Sequence, residues 1–252
     1  MVDQELIRLH RELGVGIYLN TGTFYDIEYE DPDVTETVSV DSGFFTWEIR
    51  TPLGTLVEER RFSPASLSWN IERRMVRDLR DLEILKYAIE RRRFVPRYER
   101  YFTWEKAFGE IGLPFAAAQY SGFGLLISRV MGVEGTIYAI HDSPDLVSSF
   151  VNAVNQKNLE LLEVLRRSPA QAVIHSDNLS SDVQSPLLFE RFSAGYYRAM
   201  ADGLHSAGKY LSVHIDGRLR GLLGALALCG VDCADAVTPA PMGDLTPEQC
   251  RA

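Results

Sequence analysis

The sequence predicts an α/β protein on a parallel sheet of the TIM (β/α)8 barrel type, incomplete, with an irregular or β-rich segment at its N-terminal end, all within one domain over residues 1–252. Three observations carry this expectation. Short apolar strands alternate with helix-length amphipathic stretches in the second half of the chain, the pattern of successive βαβ units. Two of those strands end in a His-x-Asp step before polar or Gly-rich turns, at His175 and Asp177 and again at His214 and Asp216. Neither a Gly-x-Gly-x-x-Gly turn nor a phosphate-binding loop is present, which argues against a doubly wound nucleotide-binding sheet.

Residues 1–65 read as irregular or β-rich. In ETVSVDSGFFTWEIRTPLGTLVEERRF the apolar residues alternate with polar ones, and Gly43 and residues 52–54 are turn signals, so a hairpin or small meander is expected. From about residue 70 to 88 the spacing of Ile71, Met75, Leu79, Leu82 and Leu85 follows a helical period with a charged outer face. Three later helices start on one local signal: Ser143-Pro144, Ser185-Pro186 and Thr246-Pro247 each set a hydroxyl at the N-cap and proline at the first helical position. Behind the first, Leu146, Val147, Phe150, Val154, Leu161, Leu162 and Leu165 outline a long amphipathic helix that ends at Arg166-Arg167-Ser168-Pro169; behind the second, Phe189, Phe192, Tyr196, Met200 and Leu204 lead to Gly208.

Strand 170–176, helix 186–207, strand 210–215, helix 219–229 and strand 234–238 then form consecutive crossovers, which make a parallel sheet with its chemistry at the C-terminal strand ends. About six strands are plausible against the eight of a closed barrel. The chain stops just inside the helix that Thr246 caps, so a barrel lacking its last units is expected.

At 252 residues and 46% hydrophobic the chain can bury a full core. Its 26 basic against 35 acidic residues, without a long run of one sign, argue against nucleic acid as a partner. The cysteines, Cys229, Cys233 and Cys250, are odd in number, and the N-terminus lacks the pattern of a signal peptide, which predicts the cytoplasm. Apolar runs are broken well before the ~20 residues a bilayer needs, so no membrane span is expected.

With these units in place, the residues resemble the uroporphyrinogen decarboxylase superfamily, which holds porphyrinogen decarboxylases and cobalamin-dependent methyltransferases on one barrel fold. The resemblance runs from about Thr51 onward and is carried by Thr51-Pro52-Leu53-Gly54, the GLPFAAAQY segment ending at Tyr120, Ser185-Pro186, and HIDG from His214 with the following LCGVD. In the decarboxylases the segment like GLPFAAAQY ends in a tyrosine that lines the substrate cavity, so the resemblance makes Tyr120 a substrate-binding residue. The decarboxylases' arginine-rich substrate motif and aspartate segment are not visible in the first 50 residues, and a polycarboxylate tetrapyrrole needs cationic contacts.

In the methyltransferases a His-x-Cys pair helps to hold zinc. Here the matching pair is His214-x-Asp216, which gives zinc a harder ligand. The resemblance therefore implies a small-molecule methyltransferase working with a corrinoid on a partner protein, with zinc at His214 and Asp216. The alternatives are a porphyrinogen decarboxylase without cofactor and a non-catalytic corrinoid- or tetrapyrrole-binding protein.

Read from the residues alone, His214 and Asp216 flank Ile215 and so share one strand face, spaced to grip one ion or one substrate group. The plainer reading is a buried histidine bonded to Asp216, which caps the next turn. His175 and Asp177 repeat the spacing, and the four together form a candidate cluster for acid-base work or metal binding; the plainer reading makes Asp177 and Asp182 loop residues. The TPAPMGD loop, residues 238–244, can close over the same face and offers Asp244 to substrate, though Asp244 also reads as a turn residue.

Cys229 and Cys233 read as buried, inert thiols, and Trp47, Trp69 and Trp104 as core or interface. The basic residues Arg91, Arg92, Arg93, Arg97 and Arg100 suggest a solvated helix end or a subunit contact, which leaves a homodimer open.

Overall fold

The computed structural model describes residues 4–20 and 22–251, with residues 18–20 described by their backbone alone. Helix α1 (Gln4–Leu13) leads into β1 (Ile17–Asn20) and β2 (Tyr25–Tyr29). Strands β3 (Thr35–Asp41), β4 (Phe44–Thr51), β5 (Gly54–Ser63) and β6 (Ser68–Arg73) follow, then α2 (Leu79–Glu90), β7 (Arg92–Pro96), α3 (Glu99–Phe108) and β8 (Gly112–Ala117). Next come the short α4 (Gly122–Gly124), a π-helical stretch over Leu125–Val130, α5 (Val133–Asp142), α6 (Pro144–Arg167) and β9 (Ala172–Leu179). The chain continues through α7 (Pro186–Phe192), α8 (Ala194–His205), β10 (Tyr210–Ile215), α9 (Leu222–Leu228), β11 (Cys233–Asp235) and α10 (Pro247–Arg251). These elements make two compact units, one from residues up to 27, 94–120 and 158 onward, the other from residues 28–93 and 121–157.

The first unit holds a five-stranded sheet in the order β1-β8-β9-β10-β11, every neighbouring pair parallel. Strand order follows chain order without reversal, so the sheet lacks the switch point of a doubly wound fold and is singly wound. Among the described residues β1 and β11 have one neighbour each, and the expected barrel is not closed. Leu211, Val213 and Ile215 of β10 and Val173 of β9 pack into one core with Phe189, Met200 and Leu204 of the following helices. Burial of such side chains, at about 25 cal/mol per Å² of apolar surface, is what holds helices on the sheet.

Several expected boundaries move. The helix expected over 186–207 breaks at Ser193, whose φ of −123° leaves the helical range and whose Oγ accepts from Gln184 Nε2 at 2.5 Å. The strand expected over 170–176 runs on to Leu179, so His175 and Asp177 lie within it rather than at its end. Gly221, with φ +76°, delays the next helix from 219 to Leu222, and the strand expected over 234–238 is Cys233–Asp235. The N-terminal segment also contains a helix, α1, which buries Ile7 against Ile17 and Phe108.

In the second unit β3 to β6 form an antiparallel meander, as the alternation implies. The first hairpin turns on Ser42 (φ 49°) and Gly43 (φ 84°), positive φ at both central residues as a two-residue loop matching strand twist requires. The helix expected from residue 70 starts only at Leu79, where the Asp78 carboxylate accepts from Asp81 N at 2.8 Å. Ile71 and its neighbours instead pair with β5; tertiary pairing overrides a helical period here. Helix α2 buries Leu82, Leu85 and Ile89 over the sheet end carrying Ile49 and Leu56.

Candidate active site

Strand register decides which side chains can meet, because directly opposed residues on neighbouring strands share a face. His175 lies opposite Val213, whereas His214, one residue on, lies opposite Asp235. His175 therefore belongs to the face of Val213 that enters the hydrophobic core, and His214 belongs to the other face, with Ser212 and Asp235. The expected four-residue cluster does not form: the two histidines point away from each other across the sheet. Between Val213 and Ile215 the β9 register shifts, with Asn178 at φ 50°, an irregularity of the kind that re-aims side chains at strand ends.

On the core face, His175 is fully buried and its Nδ1 donates to the Gln119 carbonyl at 2.7 Å, which leaves Nε2 to accept from the Tyr196 hydroxyl at 3.3 Å. Burial pushes the His175 pKa below its ordinary value, a shift only partly opposed by the Asp177 charge. Asp177, also buried, accepts from the Tyr197 hydroxyl at 2.5 Å. The Tyr196 phenol sits well above its usual pKa because it is buried and then because Asp177 is near. Asn158, which bonds the Tyr196 side chain, donates through Nδ2 to the Tyr120 carbonyl at 2.7 Å, and Gln119 Nε2 donates to the Tyr25 hydroxyl at 2.7 Å. Two successive carbonyls, of Gln119 and Tyr120, are thus held by side chains of one polar network, and Tyr120 itself is half-buried just beyond β8.

On the opposite face, His214 Nδ1 lies 2.8 Å from Asp235 Oδ2, and both side chains are partly open to solvent. A carboxylate can only accept, so the Nδ1 proton is directed at Asp235 and Nε2 is left as the chemically available nitrogen. Asp216, expected as the partner of His214, is exposed past the end of β10, where its Oδ1 accepts from Gly217 N at 2.9 Å.

The loops after the three strands pack together: Ser181 N donates to Arg218 O at 2.8 Å, and a Cβ on Gly243 would meet Gly217 O at 3.1 Å and Thr238 O at 1.9 Å. The 238–244 loop therefore reaches the turn after β10. Asp244 uses Oδ1 to accept from Leu219 N at 2.8 Å, and that bond chiefly holds its pKa below the usual carboxylate range. Its geometry is that of a turn anchor.

Zinc at His214 and Asp216 does not fit these residues. Among the described residues no three His, Cys, Asp or Glu side chains converge, and Asp216, turned to Gly217 N past the strand end, does not join His214, whose Nε2 stays open. Cys229 is buried and its thiol pKa is raised by burial, whereas Cys233, read as buried from the sequence, is exposed on the outermost strand.

The family model for Uroporphyrinogen decarboxylase (URO-D) matches residues 78–240, well over half of the chain, and spans β8 to β11 with both histidines. The chain belongs to the uroporphyrinogen decarboxylase family. Tyr120, His175, Asp177, His214, Asp216 and Asp235 lie inside the family region, and Asp244 and the β3–β6 meander lie outside it. Among solved structures, a methyltransferase from Methanosarcina mazei is similar at 15% identity and a TM-score of 0.43, over 53% of this chain. The chain spans 39% of that structure's length. No curated protein matches the chain. Among the described residues no helix is long and apolar enough to cross a membrane.

Asp235, Tyr196, Tyr197, Asn158 and Gln119 were not singled out by the sequence as site residues. Asp235 carried a usable signal, since it lies within the strand expected over 234–238, next to the one that bears His214.

Proposed function

We propose that this chain is a methyltransferase-branch member of the uroporphyrinogen decarboxylase family, in which His214, oriented by Asp235, removes the proton from the methyl acceptor. The observation that carries the reading is the 2.8 Å contact of His214 Nδ1 with Asp235 at the C-terminal ends of parallel strands, where such sheets build their sites. In this reading the five strands are part of a (β/α)8-type barrel, supported by their singly wound order. A corrinoid on a partner protein supplies the methyl group.

The acceptor, a thiol or similar X–H group, gives its proton to Nε2; its freed electron pair forms the bond to the methyl carbon, and the bond from methyl to donor breaks with its pair left on the donor. Asp235 keeps the ring in the tautomer that makes Nε2 the base. Proton removal does here what metal coordination of a thiol does elsewhere, which suits a pair in which aspartate stands at the position of a ligand cysteine.

The test offers the purified chain a methylated corrinoid with small thiols, and uroporphyrinogen in a parallel assay, each with wild type, His214→Ala and Asp235→Asn. Methylated thiol from wild type, lost in His214→Ala, is the expected result. Loss of CO2 from the porphyrinogen instead would move the chain to the decarboxylases, and tight binding of either compound without turnover would make it a binding protein. Near one equivalent of zinc by elemental mass spectrometry, lost in His214→Ala and Asp216→Ala, would overturn the metal-free chemistry.

A further inference from the structure

The β3–β6 meander lies outside the family region and outside the site described above, and its two faces differ. The ladder sets Val38 opposite Trp47 and Val40 opposite Phe45, Ile49 opposite Leu56, and Phe62 opposite Trp69, so these side chains share one largely apolar face, with Glu36, Glu58 and Arg60 set among them. At one end that face is closed: Ile49 and Leu56 are buried where α2 packs. At the other end it is open, with Val38 58% and Val40 61% exposed.

The open end adjoins an open edge. Among the described residues β3 pairs only with β4, along seven unbroken pairs, and its other side presents backbone donors and acceptors to solvent. Edge strands are ordinarily blunted by lysine, proline or a bulge. Thr35–Asp41 has none of these.

We infer that β3 pairs antiparallel with β3 of a second copy of this chain about a two-fold axis at Val38, the midpoint of the strand, joining two four-stranded sheets into one of eight. Charge selects this occupant. The strand carries Glu36 and Asp41 and no base, so a basic partner strand would be the obvious alternative if those acids faced outward unpaired. Glu36, however, is already spent within the sheet, accepting from Trp47 Nε1 at 2.8 Å and from the Tyr29 hydroxyl at 2.5 Å.

In the Val38-centred register Glu36 faces Val40 of the other copy and Asp41 faces Thr35, so no acid meets an acid. Val38 meets its own mate. The antiparallel arrangement also brings the open end of each sheet beside the α2-covered end of the other, so that Val40 gains cover that its own copy does not provide. An isologous contact of this kind closes on itself and stops at two copies.

Two variants test the register, in a background with Cys233→Ser and Cys250→Ser so that only buried Cys229 remains. Val38→Cys should cross-link to itself under mild oxidation, because opposed Cα atoms in an antiparallel pair stand at disulfide distance; Val40→Cys, whose counterpart is Glu36, should not. In sedimentation, wild type should be dimeric at micromolar concentration. Val38→Lys, which opposes two ammonium groups, should weaken dimerisation at least about tenfold with an unchanged circular dichroism spectrum. A monomeric wild type would overturn the proposal, and so would a dimer that Val38→Lys leaves intact and Val38→Cys fails to link.

Discussion

Acidification should destabilise the first unit through His175. The imidazole is fully buried and burial holds its pKa below the ordinary value of 6.5, to which it returns in the unfolded chain. Between the folded and unfolded values the unfolded chain binds the extra proton, so stability rises with pH in that window. The contribution is fully present above pH 6.5 and is lost as pH falls from there through the lower folded value. Within that window its limiting slope is about 1.4 kcal/mol per pH unit, against a total of about 5–15 kcal/mol for an ordinary domain.

The assay is urea unfolding followed by circular dichroism at steps from about pH 7.5 to 5, on wild type and His175→Asn. Asparagine keeps an N–H toward the Gln119 carbonyl and cannot titrate. It also removes the acceptor of the Tyr196 hydroxyl, which should cost about 1–3 kcal/mol at neutral pH. The variant should therefore start lower and fall less steeply. Parallel pH curves for the two proteins would refute the reasoning, since His175 would then titrate alike folded and unfolded.

Asp235→Asn should leave the fold intact and lower turnover by about 10²-fold or more, because Nδ1 loses the carboxylate that fixes its proton; steady-state rates beside a thermal melt check this. Tyr197→Phe strips buried Asp177 of a donor and should cost about 1–3 kcal/mol of stability, read by denaturant midpoint. Gly243→Ala would drive a methyl group into the Thr238 carbonyl, so the 238–244 loop should lift from the β10 turn and become more sensitive to limited proteolysis at unchanged melting temperature.

What the sequence made legible was local. The run YLSVHI reads as a strand and is one to the residue, the Ser185-Pro186 step opens α7, and Gly43 turns the first hairpin. What it hid depends on register. Counting two residues from His214 reaches Asp216, but the strand ends at Ile215, and the partner comes from β11, whose alignment with β10 no local pattern encodes.

The same holds for His175. Its spacing to Asp177 matches that of the other pair, yet an offset of one residue between strands turned it to the opposite face. Helix α1 was missed although Leu6, Ile7, Leu9 and Leu13 follow a helical spacing; ten residues are too few to hold a helix alone, and packing of Ile7 on Phe108 supplies the rest.

Because neighbouring strands seat one histidine among core tyrosines and the other toward solvent, the sheet acts as a partition between two kinds of change. Substitutions around His214 alter what the protein can react with and meet little resistance from folding, since the side chains there are partly open. Substitutions around His175 are tried first against stability. A collection of variants restricted to positions 214, 216 and 235 should consequently yield mostly folded proteins with altered reactivity, whereas the same number drawn at 175, 177 and 196 should yield few that fold.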